Sequence, residues 1–131
     1  MNDPLDMVRT VLRQHPSIQI GMVFGSMGTM RQTVFSDADV AVCAGRPLDL
    51  SERMVLVDHL ALKLGRPVDL VDLMVVSGPI LQQVLTQGRI VLNRNPTLYA
   101  KLILKMWYNQ ADVMPNYRMI LHRRLEAFAH G

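Results

Sequence analysis

The sequence predicts one α/β (α+β) domain, a small mixed sheet flanked by helices and followed by a helical C-terminal tail. The chain has 131 residues, half of them hydrophobic, which is enough for one core and too few for two ordinary domains. Segments of helical and strand periodicity alternate along it in the order α-β-β-α-β-α-β-α. Turn residues punctuate those segments, and no repeat, low-complexity stretch or Gly/Ser linker divides them. The domain is expected to span residues 1–131, with a core over about 16–93 and a tail helix over about 96–128.

Asp3 followed by Pro4 marks a helix start, and Leu5, Val8, Val11 and Leu12 fall on one side of a helix over 3–14 that His15-Pro16 ends. Ile18 to Phe24 reads as a strand closed by Gly25-Ser26, and Asp37 to Cys43 as the next. Asp49 and Glu52 have capping-box spacing, and Gly65 supplies the stop. Between them Met54, Val57, Leu60, Ala61 and Leu64 recur at helical spacing, a candidate core face. Val68 to Leu73 is a third strand, Pro79 to Leu85 a short helix, and Arg89 to Leu92 a fourth strand. Asn95-Pro96 opens the tail helix, which breaks or kinks near Pro115. The first two strands can pair directly, so the sheet need not be all parallel.

Several function classes drop out. No apolar run approaches the ~20 residues that span a bilayer. The N-terminus carries Asp3 and Asp6 where a signal peptide would carry Lys or Arg, which points to the cytoplasm. Cys43 has no disulfide partner, lies in an apolar strand and reads as structural. The four histidines (His15, His59, His122, His130) are scattered, with no short-spaced pair of zinc-site type. A net charge of +3 without a long basic patch gives no reason to expect direct nucleic-acid binding. Arg89 and Arg94 read as solvated surface rather than phosphate contacts.

The chemistry-bearing pattern is Gly25-Ser26, a ten-residue spacer, then Asp37-Ala38-Asp39. Strand residues two apart share a face, so Asp37 and Asp39 project together, followed by Ala41 and Cys43, while Val40 and Val42 face the core. Such a carboxylate pair can share two divalent cations, and Mg²⁺ takes hard oxygen ligands of this kind. A third carboxylate is expected from the next strand, where Asp69 and Asp72 face opposite sides. If Val68 and Leu70 point inward like Val40 and Val42, Asp69 joins the cluster and Asp72 escapes to solvent or caps the following turn. Gly25 lets the backbone approach a phosphate, the Ser26 hydroxyl can donate to it, and a short helix near Met27–Arg31 adds amide donors.

On these residues the chain resembles the DNA polymerase β-like nucleotidyltransferase superfamily, in its minimal nucleotidyltransferase branch. The resemblance rests on Gly25-Ser26-x10-Asp37-x-Asp39 and on Arg66-Pro67-Val68-Asp69-Leu70, and runs from about Val23 to Leu92. Length and helical tail are similar to the antitoxins of HEPN/minimal nucleotidyltransferase toxin–antitoxin pairs. That resemblance implies the nucleotidyltransferase fold, Mg²⁺ (two ions), ATP as substrate, and AMP transfer to a tyrosine of a HEPN-type toxin. It places Asp37, Asp39 and Asp69 on the metals, and Gly25, Ser26 and Arg31 on the triphosphate. One departure stands out: the family's Arg-Gly pair after Gly-Ser is replaced by Met27-Gly28-Thr29-Met30-Arg31, with glycine early and arginine late.

Two other functions compete. A non-catalytic antitoxin would occlude its partner through the tail, using Trp107, Tyr108, Met114, Tyr117 and Met119 with Arg118, Arg123 and Arg124. The same tail also carries Leu98, Leu102, Met106, Ile120, Leu121, Leu125 and Phe128 at core-covering positions. A small-molecule nucleotidyltransferase would normally bring a larger substrate domain, for which there is no room.

Overall fold

The computed structural model describes residues 3–25 and 37–113. Ser26, Arg31 and the expected helix near Met27–Arg31 lie outside the described residues, as does the tail beyond Val113 with the break near Pro115.

Helix α1 runs Pro4–Arg13, strand β1 Ile20–Phe24, β2 Ala38–Cys43, helix α2 Leu50–Leu64, β3 Val68–Asp72, α3 Gly78–Gln87, β4 Arg89–Asn93 and α4 Pro96–Val113. The expected caps form. The Asp3 carboxylate accepts from Leu5 N–H, and Asp49 and Glu52 cap each other's backbone N–H. Gly65, at φ 71°, ends α2 in a left-handed turn that a side chain would strain. Asn95 Oδ1 accepts from Leu98 N–H at 3.0 Å and opens α4.

The strands form one sheet of order β3-β2-β1-β4, in which β1 runs antiparallel to both neighbours and β2 and β3 are parallel. Helices cover both faces. On one, Val8, Val11 and Leu12 of α1 and Leu56 and Leu60 of α2 pack on Val23, Val40, Val42 and Leu70. On the other, Leu81, Val84 and Leu85 of α3 and Leu102 and Met106 of α4 pack on Ile20, Met22, Ala41 and Cys43. Ala41 and Cys43 are thus as buried as Val40 and Val42, while Asp39 and Asp69 at the starts of β2 and β3 on that second face stay more open.

The face expected of α2 needs correction. Met54 is 58% exposed, and the core contacts come from Leu56 and Leu60, with Val57 and Leu64 partly buried beside them. This helix carries apolar residues on its exposed side as well, for Leu50, Val55 and Leu62 are also exposed. Spacing alone cannot orient such a helix.

Each edge strand is guarded by an arginine from the helix above it. Arg53 of α2 donates to the Leu70 carbonyl of β3, and Arg9 Nε of α1 to the Val91 carbonyl of β4 at 2.7 Å. An edge carbonyl already bonded offers less to a foreign strand.

Arg94 is not idle surface. Its guanidinium donates to three carbonyls, that of Arg13 (3.0 Å) at the negative C-terminal end of α1 and those of His15 (3.1 Å) and Ile18 (2.9 Å) in the connection that follows. The residue is placed there because β4 ends beside Gln19, whose carbonyl accepts from Arg94 N–H. Arg94→Ala should therefore cost about 2 kcal/mol in urea unfolding, as expected for lost bonds to a charged donor. The same measurement on Arg89→Ala, exposed at the sheet edge, should show little change.

Candidate active site

The end of β1 and the starts of β2 and β3 meet at one edge of the sheet. Register brings the residues together: Phe24 of β1 lies opposite Asp39, and Asp39 lies opposite Asp69. Directly paired residues share a face, so Phe24, Asp39 and Asp69 line up across three adjacent strands about 4.8 Å apart. Asp37 sits exposed just before β2 begins, where Ala38 N–H donates to the Pro67 carbonyl and locks the two strand starts together.

Parity separates the two carboxylates of β3. Asp69 is exposed beside Asp39, whereas Asp72 points to the opposite sense and is 5% exposed. Asp72 does not escape to solvent. Its Oδ1 accepts from Met74 N–H at 2.9 Å and its Oδ2 from Leu48 N–H at 2.8 Å, so it caps the turn after β3 and pins the loop before α2.

Gly25 follows Phe24 with φ 64°, and a Cβ there would collide with the Asp39 carboxylate. Glycine is therefore required twice over, for the turn and for the close approach. Phe24 was not singled out by the sequence pattern. The parity that selects Asp69 would have found it, once β1 and β2 are paired antiparallel. It is partly buried against the second core cluster and, on β1, flanks Asp39 on the side away from Asp69.

Burial first, then the charges of Asp69 and Asp37, push the Asp39 carboxyl above its ordinary range. Such a concentration of negative charge on hard oxygen donors fits Mg²⁺ in donor type. Among the described residues, however, no three acidic, histidine or cysteine side chains stand close enough to hold one ion between them. Three carboxylates of like charge repel one another, and a bound cation would offset that repulsion.

A family described as "Polymerase beta, Nucleotidyltransferase" matches residues 7–97. The protein adenylyltransferase MntA of Shewanella oneidensis is 36% identical over 118 residues, covering 82% of this chain and 85% of that protein. A crystal structure of a toxin–antitoxin with AMP-PNP matches with a TM-score of 0.74 at 30% identity, over 92% of this chain and 98% of that one. A structure of the tri-AMPylated Shewanella oneidensis HEPN toxin in complex with its MNT antitoxin matches with a TM-score of 0.70 at 28% identity, over 95% of this chain and 99% of that one. The carboxylate-bearing strand starts and the Gly25 turn all fall inside the matched segment, and this chain belongs to the polymerase β nucleotidyltransferase family.

Proposed function

We propose that this chain is an antitoxin that transfers AMP from ATP to a tyrosine hydroxyl of a HEPN-type toxin, with Asp37, Asp39 and Asp69 as its acidic centre. The observation that carries the chemistry is the side-by-side register of Asp39 and Asp69 against the side-chain-free Gly25. The choice of acceptor is supported by the relatives, one an adenylyltransferase by name and one a partner of an AMPylated HEPN toxin.

In this reading Gly25 leaves room for the triphosphate, while Ser26 and Arg31 contact its oxygens. Asp37 and Asp39 would hold both Mg²⁺ ions, and Asp69 would complete the second position. Mg²⁺, when bound there as two ions, neutralises the phosphate oxygens and orients the nucleotide. Asp69, exposed on the open face, takes the proton of the acceptor hydroxyl. The acceptor oxygen bonds to the α-phosphorus, the bond to the bridging oxygen breaks, and pyrophosphate leaves with its electron pair. Positioning and charge neutralisation do most of the work, which suits so small a scaffold. An ATP-consuming activity of this kind suits the cytoplasm, and no helix among the described residues is long and apolar enough to cross a membrane.

The test is incubation of the purified chain with its HEPN partner, Mg²⁺ and labelled ATP. Label at the α-phosphate should enter the toxin and label at the γ-phosphate should not. Tight complex formation with no α-label transfer would instead favour occlusion.

A further inference from the structure

His15 and His59 are 44 residues apart in sequence, yet His15 Nε2 and His59 Nδ1 lie 3.0 Å apart. No spacing rule could have joined them. His15 follows α1 and His59 rides on α2, so the pair bridges the two helices that cover one face of the sheet. We propose that His15 and His59 form a two-histidine site for a borderline divalent cation, Zn²⁺ foremost, on the face of the sheet opposite to the carboxylates.

Imidazole nitrogen is the donor such ions take, at about 2.0–2.1 Å. Two nitrogens on one tetrahedral ion then stand about 3.3 Å apart, so the pair needs to open by only ~0.3 Å from where it stands. The ring centroids, 5.2 Å apart with planes inclined at 55°, allow that opening by a small pivot of each ring. In the metal-free pair one nitrogen must carry the proton shared with the other. On binding, that proton moves to the second nitrogen of its own ring, which frees both lone pairs without a net change in charge.

Three features favour the site. Burial and then His59 push the His15 imidazole below its ordinary pKa, which keeps it in the neutral, ligating form at neutral pH. Its backbone is clamped, because the His15 carbonyl accepts from both Ile18 N–H (3.0 Å) and Arg94 Nη1 (3.1 Å). A groove of about 220 Å³ adjoins His15, with Ser17, Ser51 and Glu52 on its wall. It brings water to the His15 side of the pair, where the Ser17 and Ser51 hydroxyls can bond it; Glu52 is itself held by Arg46 and the Asp49 N–H.

The carboxylate centre and the tail histidines also attract metal, and the experiment separates them. Thermal melts of the full chain carrying Asp37→Asn and Asp39→Asn are followed as ZnCl₂ is titrated to ~100 μM, with and without His15→Ala or His59→Ala. We expect a saturable, EDTA-reversible rise of roughly 4 °C in the parent, and its loss in both histidine variants. Circular dichroism of the metal-free variants checks that they fold. Should either fail to fold, zinc-edge anomalous diffraction from parent crystals locates the ion directly. No rise in the parent, a rise that survives either histidine substitution, or anomalous density away from this pair would overturn the proposal.

Discussion

Replacing Asp39 with Asn is expected to lower AMP transfer by at least about 10³-fold, equivalent to about 4 kcal/mol of transition-state stabilisation. The side chain keeps its shape, so the fold should survive; it loses the charge that a shared metal ligand must supply. The same substitution should leave thermal stability in Mg²⁺-free buffer unchanged or raise it. The sign follows from the direction of the shift. A carboxyl whose folded-state pKa lies above its unfolded value holds its proton better in the folded chain, so ionising it at neutral pH costs stability. Asp39 is in that position because it is partly buried between Asp69 and Asp37, and an amide removes the cost. Activity lost with stability kept is the signature of a residue retained for chemistry rather than packing. Transfer of α-phosphate label and a thermal melt on the same preparation read both halves. A variant that transfers normally would remove Asp39 from the mechanism. A variant that melts far below the parent would instead make its role structural.

Local signals were legible wherever chemistry and geometry lie within a few residues. Asp3, the Asp49–Glu52 box, Gly65 and Asn95 each announce a helix end that the structure realises through side-chain or backbone caps. The strand that carries Asp39 was readable from Asp37-Ala38-Asp39-Val40, and period-2 parity was enough to choose Asp69 over the buried Asp72. What failed did so for physical reasons. Leu50, Met54, Val55 and Leu62 give α2 apolar residues on its exposed side, so the hydrophobic pattern carried no direction and Met54 was assigned to the core. Ala41 and Cys43 share the aspartates' face yet are buried, because α3 and α4 pack over them but not over the carboxylate end of that face. Arg94 and the His15–His59 pair depend on contacts across 76 and 44 residues, and a single sequence holds no trace of such pairings.

The second large effect is expected at Gly25. Gly25→Ala should cut kcat by roughly 10²-fold, the scale at which a displacement of about 1 Å in a catalytic group is felt. Two costs combine there. The backbone is left-handed at φ 64°, which for alanine costs about 1 kcal/mol of stability. The new methyl also collides with Asp39 Oδ2 and must push that carboxylate off the line it shares with Asp69. Gly65→Ala separates the two costs. Gly65 has a similar φ of 71°, but a Cβ there meets nothing within 4 Å, and the residue lies at the end of α2. It should lose about the same stability while transferring AMP at the parent rate. Equal kinetic losses in both variants would mean that backbone strain, not the displaced carboxylate, sets the rate. A loss confined to Gly25→Ala would tie the turn after β1 directly to the placement of Asp39. In that case the glycine of the Gly25-Ser26 pair serves the Asp39 carboxylate as much as the phosphate it was expected to admit.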